Sequence, residues 1–281
     1  MEEKNYPSFS VAMSVYGKDN PEWFDEAFCS ITHQTVNPNE IVLVVDGVIP
    51  DEINHVIKKY ETECNENGIN LKVIRFESNK GLGIALKKAI EECGNEIIAR
   101  MDSDDIALKT RFEEQLKIFN LDPKADIVGG DIEEFIGNIN NRVGKREVPQ
   151  NDDEIKKYIK KRCPLNHVTV MYKKKAVIAA GNYKDLFWNE DYYLWIRMAE
   201  KKCVMRNTGT TLVYVRVGEE MYKRRGGKRY FQSEKFLQDY MLKTGMINYA
   251  EYSLNLVKRF IVQILLPNNI RGWVFKKFAR S

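Results

Sequence analysis

The chain has 281 residues, of which 43% are hydrophobic and 30% charged, and its net charge is only +4. This length suits one large domain or one domain with an appendage, and the composition excludes a wholly disordered chain. The small net charge gives no indication of a nucleic-acid partner.

The five cysteines are widely spaced and form no CxxC pair, which favours reduced thiols over a zinc site. Residues 1–8 carry no signal-peptide pattern, and no apolar run approaches the ~20 residues of a membrane span. We therefore expect a cytoplasmic protein.

In the first part of the chain, apolar runs alternate with amphipathic segments. The runs predict strands over 9–16, 40–46, 71–76 and 97–102. The segments between them predict helices over 21–34 and 51–66 and a third helix that opens at the break 79–83 and continues through residue 92. Strands separated by helices in this way predict a doubly wound, mostly parallel α/β sheet with helices on both faces.

After residue 105 the pattern is less regular. Helices are predicted over 110–121, 151–161, 174–179 and 192–201. Strands are predicted over 126–130, 131–136, 166–172 and 212–217. The remainder, residues 231–281, is predicted to be a helical and basic extension.

The fourth predicted strand runs directly into three carboxylates, Asp102, Asp104 and Asp105. In open α/β sheets, ligands bind beyond the carboxyl ends of the strands. Carboxylates this close repel one another unless a cation joins them. Oxygen ligands suit Mg²⁺ or Mn²⁺, which complete their shells with phosphate oxygens. The stretch therefore predicts a metal and phosphate site, and the alternative is a solvated acidic loop before the next helix.

Polar residues also follow the other predicted strands. Tyr16, Asp46 and residues 75–79 should lie along the same edge of the sheet as Asp102. Asp46 could accept a hydrogen bond from a base or ribose, and residues 79–83 would let a nucleotide approach the backbone closely. Asp46 followed by Gly could instead be a plain turn. Gly81-x-Gly83 lacks the spacing of a dinucleotide or Walker loop.

Three further features lie later in the chain. Glu190 and Asp191 begin a predicted helix, where helix capping is the simpler interpretation. Residues 221–229 hold five basic residues around two glycines, a composition that suits a diphosphate or a solvated turn. Residues 253–281 hold six basic residues and no acidic one, among large apolar residues. That composition is typical of helices at an anionic membrane surface, although a helix packed on the body is the alternative.

Together these stretches resemble the bacterial family 2 glycosyltransferases of the GT-A fold, which build capsule, exopolysaccharide and O-antigen. The likeness is carried by residues 9–16, 41–47, 79–83, 99–105, Arg111, 166–172 and 189–192. It extends over about residues 8–230. We therefore expect a glycosyltransferase domain over 1–230, with a nucleotide-binding half at about 8–105 and an acceptor half at about 106–230, followed by the extension 231–281. The Gln-x-x-Arg-Trp motif and the membrane spans of processive members are absent from the sequence, which favours transfer of one sugar.

The resemblance implies a role for each matched residue. Asp46 would contact the nucleotide base, Asp102 and Asp104 would bind ribose and metal, and Asp191 would be the general base, with Glu190 in support. The remaining residues assigned to the nucleotide-sugar are Ser14, Tyr16, Asn79, Gly81, Arg100, Ser103, Arg224 and Arg225.

The reaction expected from the resemblance is metal-dependent and inverting. The donor would be a nucleotide-sugar, preferably a UDP-sugar, and the acceptor a lipid-linked saccharide at the inner face of the cell membrane. Two alternatives stay open. One is a sugar-phosphate nucleotidyltransferase, although the turn after the first strand has only one glycine. The other is a non-catalytic scaffold at the membrane surface, which leaves the strand-end carboxylates unexplained.

Overall fold

The computed structural model describes residues 6–218 and 226–267 of the chain. Its first half confirms the predicted parallel sheet, with strands in the order β3-β2-β1-β4. The strands are β1 (Phe9–Tyr16), β2 (Glu40–Asp46), β3 (Asn70–Arg75) and β4 (Ile97–Met101), connected by α1 (Pro21–Thr32), α2 (Asp51–Glu66) and α3 (Leu82–Glu92). The apolar runs of β1, β2 and β4 are buried, because helices cover both faces of the sheet.

The second half continues the same sheet with mixed strand directions, in the order β4-β8-β6-β9-β5, and β7 pairs with β6. Its strands are β5 (Ile106–Ala107), β6 (Ala125–Phe135), β7 (Arg142–Arg146), β8 (Met171–Lys173) and β9 (Val204–Arg216). Its helices are α4 (Arg111–Leu121), α5 (Asp152–Tyr158), α6 (Lys174–Ala179) and α7 (Glu190–Glu200). The predicted α/β architecture is therefore confirmed, with a parallel first half and a mixed second half.

The prediction of two short strands over 126–136 is wrong, because β6 runs unbroken through Gly129 and Gly130. The register against β9 shifts at this point. A β-carbon at Gly130 would lie 2.5 Å from Cδ1 of Leu212. The glycine pair therefore permits close packing within a strand and does not mark a turn.

The predicted strand 166–172 is wrong in its first half, where residues His167–Thr169 form a 3₁₀ turn. Asn166 Nδ2 donates to the Gly130 carbonyl at 2.8 Å, and Thr169 Oγ1 accepts from the Gly130 N–H at 3.1 Å. These side chains bond the backbone of β6, so this segment bends where its sequence favours an extended strand.

The predicted helical extension is present as α8 (Lys228–Lys243) and α9 (Tyr249–Phe260), followed by a π-helical turn over Ile261–Leu265. Leu237 and Met241 of α8 are fully buried against the apolar cluster that contains α7. Among the residues described, no helix is long and apolar enough to cross a membrane. The domain boundary at residue 230 stays a prediction.

Candidate active site

The turns that follow β1, β2 and β4 meet at one edge of the sheet. Tyr16 pairs with Asp46 in register, and Met13 pairs with Met101, so Asp102 follows β4 on the same edge. β1 lies between the other two strands. The topology thus brings the predicted nucleotide and metal residues together, as parallel strands require.

Asp46 holds the loop that opens α3. Its side chain is 3% exposed; Oδ1 accepts from the Lys80 N–H at 2.7 Å and Oδ2 from the Gly81 N–H at 2.9 Å. Gly81 has a φ of +91°, which glycine adopts without strain. Asn79 Nδ2 lies 3.4 Å from the Asp46 carbonyl oxygen. Each carboxylate oxygen has a second lone pair, so Asp46 can both order this loop and accept from a ligand.

The three carboxylates after β4 form a tight cluster. One oxygen from each of Asp102, Asp104 and Asp105 lies within 4.8 Å of the others. Burial and the charge of Asp102 raise the pKa of Asp104 to about 7, and burial and Asp104 raise the pKa of Asp105 well above its usual range. Asp105 Oδ1 also accepts from the Arg216 N–H at 2.8 Å. A set of crowded oxygen donors fits a hard divalent cation, with Asp102 and Asp104 as the predicted ligands.

Arg100 contacts Asp102 directly. Its side chain is 2% exposed, and both terminal nitrogens donate to the Asp102 carboxylate. Arg111 Nη2 donates to the Arg100 carbonyl at 2.6 Å and thereby secures the end of β4. Within the part of the chain that is described, Arg100 Nε has no hydrogen-bond partner. Arg100, predicted to bind the nucleotide-sugar, thus orients a carboxylate of the cluster.

Sequence reasoning missed Asp19. Its Oδ2 accepts from Ser103 Oγ at 2.7 Å and from the Tyr16 N–H at 3.1 Å. Burial raises the pKa of Asp19. This contact joins the turn after β1 to the carboxylate cluster, and it arises because β1 and β4 are neighbours. The strand order, which the sequence does not state, was the signal needed to find it.

Glu190 and Asp191 begin α7, which is held rigidly because its residues from Tyr192 to Met198 are buried. Glu190 is directed towards α3, since a β-carbon at Gly83 would lie 3.7 Å from Glu190 Cβ. Burial and Asp191 raise the pKa of Glu190 to about 7. Asp191 Oδ1 accepts from the N–H of Tyr192 at 2.6 Å, and Asp191 lines a cavity that Glu190 does not line.

This cavity, of about 510 Å³, lies between residues 161–163, the turn 188–192 and the two C-terminal helices. Asn189 Nδ2 donates to Ser233 Oγ of α8 at 3.0 Å, and Ser233 Oγ donates to the Phe187 carbonyl at 2.8 Å. Helix α8 therefore supports the turn that carries Asp191. Arg224 and Arg225 lie outside the described residues.

Comparison with known proteins agrees with this geometry. The sequence model of Glycosyl transferase family 2 matches residues 10–187. An uncharacterized glycosyltransferase of Haemophilus influenzae is 39% identical over 97% of this chain and 99% of its own length. The UDP-Gal:alpha-D-GlcNAc-diphosphoundecaprenol beta-1,3-galactosyltransferase of Escherichia coli is 35% identical over 98% of this chain and 97% of its own length.

Solved structures share the fold. S. aureus TarS 1-349 in complex with UDP-GlcNAc has a TM-score of 0.63 and 18% identity, covering 90% of this chain and 72% of TarS 1-349. The mannosyltransferase PcManGT from Pyrobaculum calidifontis, in complex with GDP-Man and Mn²⁺, has a TM-score of 0.60 and 13% identity, covering 98% of this chain and 88% of the other. At these identities the likeness shows the fold alone, and that fold is the predicted GT-A type. The strand-end carboxylates, the family match and the relatives over nearly the full length lead to one conclusion: the chain belongs to glycosyl transferase family 2 and is a glycosyltransferase.

Proposed function

We propose that the enzyme transfers one sugar from a UDP-sugar to a hydroxyl of a lipid-linked saccharide in cell-surface polysaccharide synthesis. The observation that carries the proposal is the position of Asp191. Asp191 lines a cavity of about 510 Å³, and its neighbour Glu190 lies within electrostatic reach of Arg100 and Asp102 of the carboxylate cluster. The name of the Escherichia coli relative combines a UDP-Gal donor with a diphosphoundecaprenol-linked acceptor. Family membership favours transfer over the nucleotidyltransferase and scaffold alternatives.

The donor would bind along the strand edge. Asp46 and Tyr16 would contact the base, and Asn79, Gly81 and Ser14 would line its path. Asp102 and Asp104 would hold Mn²⁺ or Mg²⁺, with Arg100 and Ser103 beside them and Arg224 and Arg225 over the phosphates. When bound, the cation supplies positive charge against the leaving diphosphate. The presence of Mn²⁺ in the mannosyltransferase complex supports a metal of this kind.

Asp191 would take the proton from the acceptor hydroxyl as the hydroxyl oxygen attacks the anomeric carbon. A single displacement of this kind inverts that carbon. Glu190 would support the base from the donor side, where its pKa responds to the charges of Asp191, Arg100 and Asp102. Its position against α3 separates it from the cavity side of the turn.

A donor panel tests the proposal. Turnover of nucleotide-sugars is measured with Mn²⁺ and with EDTA, and donor binding is measured by the thermal shift with UDP and Mn²⁺. Asp191→Asn should bind UDP as the wild type does while transfer falls by about 10²–10⁴-fold. Asp104→Asn should lose both the metal response and turnover. Asp185→Asn, at an exposed carboxylate of the same segment, is the control. Unchanged transfer by Asp191→Asn, or turnover indifferent to EDTA, would contradict the proposal.

We further propose that the enzyme lies peripherally on an anionic membrane. Leu254, Val257, Ile261 and Leu265 follow one another at helical spacing and are 55%, 55%, 44% and 60% exposed. The basic and aromatic residues of 268–281 continue this segment in sequence, outside the described residues. A helix with an apolar stripe and basic neighbours suits a membrane interface.

A further inference from the structure

We propose that the cavity beside Asp191 is the subsite for the diphosphate of the acceptor. The inference rests on the proposed function and adds the chemical group that this part of the enzyme recognises. It assigns the cavity to a diphosphate with a sugar on one side and a lipid on the other. The donor diphosphate would lie elsewhere, at the carboxylate cluster, none of whose three residues lines this cavity.

The first support is charge. Five basic residues and two acidic ones line the cavity. One acid, Glu234, pairs with Arg259 at 2.5 Å, and the two side chains are 10% and 12% exposed. Arg259 Nη2 also donates to the Lys161 carbonyl at 2.9 Å, and this hydrogen bond holds the loop at residue 161 against α9. The charges of Glu234 and Arg259 cancel each other, and the remaining charged residues that line the cavity are four basic ones and one acidic one.

The available cations are lysines at the entrance. Lys161 and Lys258 both line the cavity and are exposed. In residues 6–218 and 226–267, neither ammonium has a carboxylate within 4 Å. Arg162 follows Lys161 on the same wall. Like charges gathered in a concave site repel one another until an anion joins them, and a diphosphate can accept several charge-assisted hydrogen bonds at once.

The second support is an orphaned polar atom. Gln263 lines the cavity and is 6% exposed. Within the described part of the chain, its Oε1 has no hydrogen-bond partner. A buried oxygen without a donor is costly, so this atom is suited to an O–H or N–H of a bound molecule. Hydroxyl and N-acetyl groups of a sugar supply such donors, whereas the diphosphate itself does not.

The third support is the distribution of side chains around α9, which has a lysine at the cavity and apolar residues exposed beside it. Lys258 is directed to the cavity, while its neighbours Leu254, Val257 and Ile261 are exposed. A lipid attached to the diphosphate could thus leave the cavity along an apolar helix face. The order of groups would be a sugar at Asp191, a diphosphate at the lysines and a lipid on α9, which matches a lipid-diphosphate saccharide.

The probe for the test is geranyl diphosphate, a short and soluble polyprenyl diphosphate. Its binding is measured by calorimetry in EDTA, so that metal-assisted binding at the carboxylate cluster does not contribute. The Lys161→Ala/Lys258→Ala double variant should bind the probe at least about tenfold more weakly, because two charge-assisted contacts are lost. Lys258→Arg should retain most of the affinity. Lys175→Ala, at a lysine that is 72% exposed on α6, should bind as the wild type does.

Two further measurements distinguish binding in this cavity from binding at the donor site, and binding of the diphosphate from binding of the apolar chain. UDP with Mn²⁺ should bind the double variant as it binds the wild type, and UDP added in EDTA should leave probe binding by the wild type unchanged. Inorganic pyrophosphate should bind more weakly than geranyl diphosphate, and geraniol should not bind. Equal binding of the probe by the wild type and the double variant, or displacement of the probe by UDP, would overturn the inference. Since these measurements need no sugar transfer, their failure is distinct from failure of the proposed function.

Discussion

Adjacent acids at the start of α7 have different surroundings. Glu190 lies against α3 and within the electrostatic reach of Arg100 and Asp102, and its pKa rises to about 7. Asp191 lies at the cavity. A carboxyl group with a pKa near 7 is partly protonated at neutral pH, so Glu190 can donate a hydrogen bond as well as accept one. Consecutive residues of one helix turn therefore supply chemically different groups to different surroundings.

Glu190→Gln should make the fold more stable at alkaline pH. The pKa of Glu190 in the folded chain exceeds its ordinary value of 4.5, so ionisation destabilises the fold progressively as the pH rises from 4.5 to about 7. Glutamine cannot ionise. We expect Glu190→Gln to raise the free energy of unfolding by up to about 3 kcal/mol near pH 8 and by less near pH 5. Urea unfolding at both pH values measures the difference. Glu61→Gln, at an exposed glutamate of α2, should show no such pH dependence; a gain that is equal at both pH values would count against the ionisation argument.

At this scale the sequence predicted the residues that follow strands directly. Asp102 and Asp104 were predicted as site residues because an apolar run ends in them. Asp19 was missed because its partner, Ser103, is 84 residues away in sequence. Asp191 was assigned only through family resemblance, since its spacing equally predicts a helix cap. The structure contains that capping contact too, from the Tyr192 N–H to Asp191 Oδ1.

At the scale of elements, α9 is attached to the body by buried polar contacts. Arg259 pairs with Glu234 of α8, and Asn255 Nδ2 donates to the Lys160 carbonyl at 2.9 Å. Both side chains of the ion pair are almost fully buried. A buried charge without its partner is far more costly than an exposed one, so this pair determines whether α9 stays docked.

Arg259→Met should destabilise the protein by about 3–5 kcal/mol, because the substitution removes the guanidinium that pairs with the buried Glu234 carboxylate. Adding Glu234→Leu should recover a large part of the loss, since the buried carboxylate that paired with Arg259 is then removed as well. Urea unfolding of both variants gives the coupling between the two positions. The matched control is Lys235→Met, which breaks a pair with Asp239 that is 45% exposed on both sides, and it should cost less than about 1 kcal/mol. Equal losses for Arg259→Met and Lys235→Met would refute this account.

The element predictions failed where side chains compete with the backbone. The segment 166–169 has strand composition, but Asn166 and Thr169 bond to Gly130 and turn it. The two strands predicted over 126–136 meet at the glycine pair of β6. The structure has one strand there, and glycine is suited to it because Leu212 occupies the space that a larger side chain at Gly130 would need. Both outcomes depend on contacts between segments that are distant in sequence, which no local pattern encodes.

At the scale of the whole molecule, the exposed apolar stripe of α9 predicts membrane binding. The variant Leu254→Ser/Val257→Ser/Leu265→Ser should partition to anionic liposomes at least about tenfold less than the wild type, because each buried leucine or valine side chain contributes about 1.5–3 kcal/mol when fully transferred. Co-sedimentation measures the partitioning, and added salt should weaken its charge-dependent part. Leu121→Ser, at a leucine that is 85% exposed on α4, should have no effect. If the triple variant sediments as the wild type does, the stripe is not the membrane contact.

The cavity could not be predicted from the sequence, because its walls come from five separate parts of the chain, at 146, 161–163, 188–192, 230–234 and 258–263. Residues 161–163, 188–192 and 258–263 each have an ordinary local pattern, and only tertiary packing brings Lys161, Asp191 and Lys258 to one space. The parallel half of the sheet was predictable for the opposite reason, since its strands and crossovers are encoded by local apolar periodicity.

The hydrogen bonds of Ser233 connect the C-terminal helices to the segment that precedes the proposed base. Ser233 joins α8 to Asn189 and to the Phe187 carbonyl, immediately before Asp191. A rotation or lift of the C-terminal helices would therefore disturb residues 187–189, which lead into the proposed base, while Asp46 at the end of β2 and the carboxylate cluster after β4 would stay in place. An enzyme built in this way would bind its donor equally well in solution and on a bilayer. Its rate of sugar transfer, however, would depend on the position of its C-terminal helices.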